Sequence, residues 1–298
     1  MEIITLNEAR KKHYHGLSVA LGAFDGLHIG HMALIDAARQ APGQSAVLTF
    51  DTLPGELFCS ERPQHLMTTE EKTCAFAAAG IDIFCVAHFD KKFASIESEE
   101  FERILAEAFS PRLVVAGYNY TYGCHARGNA QTLIDAGRKL GFEVCIIPPV
   151  IAHGEVVSSS RIRRCLEAGD VVLAEELLGR PYSVCGKVGR GRGIGSTQLG
   201  FPTANIRVCR EKLIPSSGVY SVEIDAVGGS YKGVCNIGIN PTVSESGSRS
   251  IEIHILDLSA DLYGRKITVR FKKRLRDEKK FSNLDELKQQ IRRDIDSI

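Results

Sequence analysis

The sequence predicts two domains, a doubly wound α/β domain followed by a small β-barrel domain that ends in a C-terminal helix. The chain has 298 residues and is 44% hydrophobic, which is enough to bury two cores. Its first half alternates short apolar runs with helical stretches, as parallel α/β sheets do. Its second half reads as successive strands separated by turn residues.

The apolar runs of the first half are continuous, which suits strands that are buried on both faces. Thr68 or Thr69, with acidic residues behind it, marks a helix start, and Gly80 marks its end. Ligands of such sheets bind beyond the carboxyl ends of the strands. The predicted strands are 18–24, 45–50, 82–87, 112–117 and 143–148, and the helices are 32–40, 69–79, 98–109 and 128–141.

In the second half, turn stretches such as "DAVGGS" separate predicted strands, and a last segment, 283–296, carries apolar residues at helical spacing. Pro181, in "LLGRPYSV", marks the boundary between domains at 1–180 and 181–298. The predicted strands are 183–189, 219–225, 230–238, 249–257 and 265–273.

Bulk properties exclude several classes of protein. The net charge is +1, so no global basic field exists for nucleic acid. The sequence has no apolar run of about 18 residues and no signal-peptide layout at its start. Nine cysteines without CxxC spacing indicate reduced, mostly buried thiols. We expect a cytoplasmic monomer or weak homo-oligomer with no nucleic-acid or membrane partner.

The stretch "FDGLHIGH" follows an apolar run and opens a helix, whose N-terminus offers unpaired N–H groups and partial positive charge. Gly26 and Gly30 allow close approach of a ligand, and His28 and His31 can donate to phosphate oxygens. The combination indicates a polyphosphate site. A zinc site at the two histidines is disfavoured, because only Asp25 is nearby and no obvious third ligand is present. Two ordinary helix-cap histidines remain an alternative.

The stretch "GAFDGLHIGH" resembles the signature of the nucleotidyltransferase superfamily, which implies a Rossmann-like fold. In that family the histidines, here His28 and His31, stabilise the phosphates where a nucleotidyl group is transferred and pyrophosphate leaves. The resemblance implies that the surrounding loop binds ATP. Its residues are Gly22, Phe24, Asp25, Gly26 and Gly30.

Two further stretches resemble segments of bacterial FAD synthetases. In "VVAGYNYTYGCHARGN" (114–129), the resemblance assigns Asn119 and Arg127 to the flavin side of the site. In "VVSSSRIRRCLEAGD" (156–170), it assigns Ser159, Ser160 and Arg163 to a helix cap and the ATP phosphates. Taken alone, the serine stretch also fits a plain helix N-cap with solvated arginines.

The stretch "LGFPTANI" (199–206) resembles the GFPTAN motif of riboflavin kinases, a barrel module that follows the nucleotidyltransferase module in bacterial bifunctional riboflavin kinase/FAD synthetases. The resemblance covers nearly the whole chain. It implies that riboflavin is phosphorylated by ATP to FMN, and that FMN is adenylylated by ATP to FAD with release of pyrophosphate. Further matching stretches follow in the family's order at 217–224, 231–243, 251–258 and 262–291.

The resemblance also implies roles in the kinase module. Glu252 would orient or deprotonate the attacking hydroxyl of riboflavin. Thr203 and Asn205 would hold Mg²⁺ and the phosphates, because hard oxygens suit that ion. Arg276 would close over the flavin. The loop "GRGRGIG" (189–195) would lie near the phosphates through residues such as Gly191 and Gly193.

The sequence departs from the family pattern in three places. "FDTLP" (50–54) lacks the usual histidine, and Ser160 stands where threonine is common. "STQLGFPT" (196–203) lacks an arginine that Arg190 or Arg192 would have to replace. The alternatives are therefore a single-activity FAD synthetase with an impaired kinase module, or a non-catalytic flavin-sensing protein. A nucleic-acid site at 270–280 is disfavoured by its acidic residues and by the absence of an aromatic stacking platform.

Overall fold

The computed structural model describes residues 1–57, 64–189, 203–239, 249–279 and 281–298. Within them the chain forms two compact units, Met1–Ser158 and Ser159–Ile298. The domain boundary that the sequence predicts, between residues 180 and 181, lies after the first two helices of the second unit and stays a prediction.

The first unit is a six-stranded, wholly parallel sheet with helices on both faces, as the apolar runs predict. Its strand order is β1-β4-β3-β2-β5-β6. The elements are β1 (Glu2–Thr5), α1 (Leu6–Ala9), β2 (Leu17–Leu21), α2 (Ile29–Gln40), β3 (Ser45–Phe50), α3 (Thr69–Ala78), β4 (Ile83–Ala87), α4 (Lys91–Ala94), α5 (Ser98–Phe109), β5 (Pro111–Gly117), α6 (Ala130–Leu140), β6 (Glu143–Ile147), β7 (Ile151–Ala152) and β8 (Glu155–Val156).

Alternate residues of each central strand feed two separate cores. Val19 of β2 packs in one core with α1, α5 and α6, and Ala20 packs in the other with α2 and α3. The chain runs outward from β2 through β3 and β4, then returns to place β5 on the other side of β2. The loops after β2 and β5 therefore flank the topological switch point, where such sheets bind ligands.

The second unit is a closed, antiparallel, six-stranded barrel preceded by two helices and followed by a third. The predicted barrel with its C-terminal helix is confirmed. The strand order is β10-β13-β12-β11-β14-β9. The elements are α7 (Ser159–Ala168), α8 (Val171–Leu178), β9 (Ser183–Gly189), β10 (Thr203–Val208), β11 (Gly218–Ala226), β12 (Gly229–Ile239), β13 (Arg249–Ile255), β14 (Lys266–Arg276) and α9 (Leu284–Asp296).

The structure corrects several element boundaries. The predicted strand 18–24 ends at Leu21, because Phe24 adopts φ +48° and leaves the extended conformation. The helix predicted from residue 32 begins at Ile29, with His28 as its N-cap. Thr68 caps α3 through a capping box with Glu71, as expected. The sequence reasoning did not predict β1 or β10.

The cysteines in the described ranges form no disulfide. Fewer of them are buried than the sequence analysis expected, since Cys74 and Cys209 are exposed. Of the three that are fully buried, burial raises the pKa of the Cys85 thiol to about 12, so that this thiol stays protonated at neutral pH.

Candidate active sites

The histidine loop between β2 and α2 has an unusual backbone. Phe24, Gly26 and Leu27 all adopt positive φ, at +48°, +91° and +44°. Positive φ is costly for residues with a side chain, and such strain accumulates at functional sites. The loop turns the chain sharply from the end of a central strand into a helix N-terminus.

The two histidines lie together at that N-terminus. Nδ1 of His28 accepts the backbone N–H of His31 at 3.2 Å and so caps α2. The imidazole rings stack with 3.6 Å between centroids and 15° between planes. Because Nδ1 of His28 is an acceptor, the proton of its neutral ring is on Nε2, which is then a donor. The helix-cap alternative is therefore real, and the cap engages Nδ1 of the ring.

Glycines make room for this arrangement. A Cβ on Gly30 would lie 3.2 Å from the His28 ring, and a Cβ on Gly22 would lie 3.1 Å from the Phe24 ring. Phe24 in turn packs edge-on against His31, with 5.3 Å between ring centroids. The two glycines thus leave the space that Phe24 and the two imidazoles occupy.

Buried polar groups hold the loop from beneath. Asp25 is 2% exposed, and its carboxylate accepts the backbone N–H groups of Leu66 and Met67 at 3.0–3.2 Å. Lys72 is also buried, and its Nζ donates to the carbonyl of Ala23 at 3.1 Å. The bonds of Asp25 point to a role in fixing the loop. Sequence reasoning missed Lys72, whose only signal is a cation early in α3.

The serine stretch begins α7 in the second unit. Ser159 and Ser160 are the first two helical residues, and Arg163 is half-buried on the same helix. Their assignment to the ATP phosphates stays a prediction.

An aromatic cavity of about 610 Å³ opens beyond the carboxyl ends of β3, β4 and β5. Its walls include Phe50, Phe89 and Phe93, which contact one another with 5.1–5.8 Å between ring centroids. On the β5 side, Tyr122 donates to Glu102 at 2.6 Å, and burial raises the pKa of its phenol. Such a slot suits a planar aromatic ligand. The sequence reasoning missed these residues.

The two predicted flavin-side residues do not line this cavity. Asn119 is exposed just after β5, and a Cβ on Gly117 would lie 3.4 Å from its Oδ1. Arg127 is exposed and forms an ion pair with Glu97 at 3.6 Å. Both nevertheless lie in the loop that supplies Tyr120 and Tyr122 to the cavity wall.

A histidine that the sequence analysis did not single out approaches the altered "FDTLP" stretch. His88, which follows β4, shares a 2.6 Å hydrogen bond between its Nδ1 and Asp51 Oδ2, while Phe89 N donates to Asp51 Oδ1 at 3.0 Å. The hydrogen bond to Asp51 raises the pKa of His88. Burial opposes ionisation of Asp51, but the bonds from His88 and Phe89 lower its pKa overall.

We expect Asp51→Asn to lower the pKa of His88 toward the ordinary value of 6.5, because the carboxylate no longer favours the imidazolium. The Asp51–His88 interaction contributes fully below pH 6.5 while Asp51 is ionised, and this contribution is lost as pH rises through the raised pKa of His88. An NMR titration of the His88 ring protons measures the change. Asp36→Asn, at a partly exposed carboxylate on α2, is the matched control. An unshifted His88 in Asp51→Asn would contradict the assignment.

The second site lies on the outer face of the barrel. Asn205 of β10 lies opposite Glu252 of β13, which lies opposite Asn236 of β12. Directly opposed residues point to the same face. Ile251 and Ile253, which flank Glu252, are buried in the barrel interior, so Glu252 projects outward. Three polar side chains from different strands thus form one row.

A cavity of about 350 Å³ lies between this face and α9. Its lining includes Thr203, Glu252 and Arg276, whose roles in the kinase module stay predictions, and Asn205 lies opposite Glu252. The opposite wall comes from α9 through Leu287, Ile291 and Asp294. The lining residues that sequence reasoning missed include Asn236 and His254. The predicted loop residues Gly191 and Gly193 lie outside the described ranges.

The donor set at β10 fits a hard divalent cation. Thr203 and Asn205 lie two apart on one strand and so present a hydroxyl and an amide oxygen to the same face. The carboxylate of Glu252 lies opposite Asn205. Oxygen ligands of this kind suit Mg²⁺, which keeps several waters and binds through a few protein oxygens plus phosphates. The described residues contain no cluster of three or more His, Cys, Asp or Glu side chains for another metal.

Comparison with known families matches both units. The FAD synthetase family model matches residues 10–161, and the Riboflavin kinase family model matches residues 178–298. These matches define a class of transferases that attach phosphate and nucleotidyl groups to flavins. They agree with the two sites, since one lies on the nucleotide-binding sheet and the other on the barrel.

Whole-chain relatives refine the class. Bifunctional riboflavin kinase/FMN adenylyltransferases from Pseudomonas fluorescens and Listeria monocytogenes are 36% and 37% identical to the chain. The alignments cover 97% and 93% of the chain, and 94% and 89% of those relatives. The chain belongs to the bifunctional riboflavin kinase/FMN adenylyltransferase family, which confirms the resemblance in the sequence motifs.

A solved structure supports the fold over the full length. A protein from Streptococcus pneumoniae, described as a macrolide-efflux protein, has a TM-score of 0.90 and 30% identity, and 99% of the chain and 98% of that protein are covered. That description names a transport activity. No helix in the described part of this chain has the length and apolar character that crossing a bilayer requires.

Proposed function

We propose that the chain makes FMN from riboflavin and then FAD from FMN, consuming one ATP at each step. One observation carries the proposal: each unit has a ligand-sized cavity and a set of polar groups that match the chemistry of its own family. The barrel cavity holds a carboxylate beside magnesium-type oxygens. The sheet unit holds two stacked imidazoles at a helix N-terminus and an aromatic cavity, both at the carboxyl ends of the strands.

In the kinase step, the terminal hydroxyl oxygen of riboflavin attacks the γ-phosphorus of ATP. The bond from γ-phosphorus to the bridging oxygen breaks, and ADP leaves. The carboxylate of Glu252 orients the hydroxyl and takes its proton. Its position supports this role, since Glu252 lines the flavin-sized cavity and its strand neighbour Asn205 belongs to the proposed phosphate site.

Thr203 and Asn205 would hold Mg²⁺, which supplies charge neutralisation for the transferring phosphoryl group. The two side chains themselves position phosphate oxygens at the mouth of the cavity next to Glu252. This arrangement brings the hydroxyl and the γ-phosphate together, which lowers the entropic cost of the reaction.

In the adenylylation step, a phosphate oxygen of FMN attacks the α-phosphorus of ATP, and pyrophosphate leaves as the α–β bridge breaks. Nε2–H of His28 and the imidazole of His31 donate to the phosphate oxygens as charge develops on them. The N-terminal N–H groups of α2 add fixed positive potential. Phosphate contacts from Ser159, Ser160 and Arg163 belong to the same proposal.

The aromatic cavity is proposed to bind the flavin ring of FMN. Its walls of Phe50, Phe89 and Phe93 suit stacking on a planar tricyclic ring system. The cavity and the histidine loop both lie at the carboxyl ends of the sheet strands. Asn119 and Arg127, in the neighbouring loop, are proposed to bind polar groups of FMN.

We expect Phe93→Ala to raise KM for FMN about tenfold in FAD synthesis, since a large part of one ring wall is lost. The riboflavin kinase reaction of the same variant is the internal control and is expected to keep wild-type kinetics. Initial rates with FMN as the varied substrate measure the effect. An unchanged KM for FMN would place the flavin ring elsewhere.

The function is tested by separating the flavins formed from riboflavin, ATP and Mg²⁺, and in a second reaction from FMN, ATP and Mg²⁺. FMN and FAD from riboflavin support both activities. FAD from FMN, with nothing from riboflavin, indicates a single-activity FAD synthetase and directs attention to "STQLGFPT". No product in either reaction contradicts the enzymatic proposal and favours a flavin-binding protein.

The proposal includes a cytoplasmic location and no nucleic-acid or membrane partner. Cysteine usage supports the location, since an odd number of thiols without paired spacing suits a reducing compartment. A monomer or weak homo-oligomer is proposed.

A further inference from the structure

We propose that Asp294 is a positioning residue of the riboflavin cavity: its ion pair with Arg276 holds α9 as the second wall and thereby sets the affinity for the flavin. The inference rests on the proposed kinase function. It concerns a residue that no motif singled out, near the end of the described chain, and it changes the role expected of Arg276.

The ion pair between Arg276 and Asp294 has short contacts through two guanidinium nitrogens. Nε of Arg276 lies 3.0 and 3.1 Å from the two carboxylate oxygens of Asp294, and Nη2 lies 2.8 Å from Oδ2. Asp294 is 5% exposed and also accepts from Gln290 Nε2 at 2.8 Å. A charge-assisted contact through two guanidinium nitrogens to a buried carboxylate is among the strongest polar contacts in proteins and fixes orientation as well as distance.

The pair joins the two walls of the cavity. Arg276 ends β14 and lies opposite Val219, which lies opposite Asn236 in the row that contains Glu252. Asp294 shares a helix face with Leu287 and Ile291, at spacings of seven and three residues. The ion pair therefore fixes the apolar face of α9 over the outer face of the barrel.

The guanidinium of Arg276 makes several contacts that hold it at this position. Besides Asp294, its Nη1 donates to the carbonyl of Asp277 at 3.0 Å, and its Cζ lies 5.7 Å from the centroid of the Phe281 ring. Arg276 thus affects flavin binding by holding α9 in place as the second wall of the cavity. The proposed ATP contacts, Thr203 and Asn205, lie on β10, whose backbone is paired with β9 and β13.

The test compares Asp294→Asn with Asp296→Asn, an exposed carboxylate on the same helix. Asp294→Asn is expected to raise KM for riboflavin at least about tenfold, while KM for ATP changes by less than about twofold. Asp296→Asn is expected to match the wild type. FAD formation from FMN is expected to be unchanged in both variants.

KM is the deciding quantity because partial unfolding lowers the apparent kcat without changing KM. Asp294→Glu, which retains the carboxylate, is expected to recover most of the lost affinity. An unchanged KM for riboflavin, a parallel rise in KM for ATP, or no recovery with glutamate overturns the inference. If the wild type forms no FMN, the proposed function fails, and quenching of riboflavin fluorescence on binding still tests the ion pair.

Discussion

Glu252→Gln is expected to slow FMN formation from riboflavin by about 10²- to 10⁴-fold, the usual contribution of a positioned general base. Glutamine keeps the shape of the side chain and can still accept a hydrogen bond, but it cannot take the proton of the attacking hydroxyl. Because the row from Asn205 to Asn236 is unchanged, substrate binding should be largely retained. The loss is therefore expected in kcat, measured with saturating riboflavin and ATP.

The matched control for this experiment is Glu223→Gln, a half-buried carboxylate on barrel strand β11 that does not line the cavity. It should leave the rate of FMN formation within about twofold, as surface substitutions usually do. FAD formation from FMN should be unaffected in both variants. If Glu252→Gln forms FMN at the wild-type rate, Glu252 is not the base, and another group must receive the proton.

His28→Ala is expected to reduce FAD formation from FMN by about 10²- to 10³-fold, the typical cost of removing one fixed donor to a developing charge. The substitution also removes the cap of α2, which costs about 1 kcal/mol of stability. FMN formation from riboflavin should continue at the normal rate. Single-turnover rates of FAD formation measure the chemical step directly.

His28→Asn separates the two roles of this histidine. Asparagine is a good N-cap and can accept the His31 N–H, but it does not reproduce the reach of Nε2–H. We expect His28→Asn to recover helix stability in thermal denaturation while FAD formation remains as slow as in His28→Ala. Recovery of both properties would show that His28 is only a helix cap.

The elements with strong local patterns could be predicted from sequence. The central strands β2, β3 and β4 are buried on both faces, so each reads as an unbroken apolar run, and the barrel strands are separated by turn residues. β1 was missed because it is a four-residue edge strand with mostly non-buried positions. β10 was missed because Ala204 and Asn205 have weak strand preference, and because the segment follows a glycine-rich stretch that ends in Pro202.

Some of the site residues could also be predicted from the sequence, and others could not. The histidines and Gly30 are close in sequence, so one short motif contains them. The aromatic cavity gathers Phe50, Phe89 and Tyr122 from the ends of three strands, and only the strand order brings them together. Asn236 and Asp294 required, respectively, the barrel register and the docking of α9, neither of which leaves a local pattern in the sequence.

The position of α9 as a wall of the barrel cavity has a consequence for the order in which the chain is synthesised. All six barrel strands precede α9, so a ribosome delivers the complete barrel before the helix that finishes the cavity. The six strands pair only with one another, so a barrel without α9 has a cavity with one wall. Proteolytic removal of α9 from the finished protein would return it to that state, with a barrel still able to pair its strands and FAD synthesis from FMN still possible in the other unit.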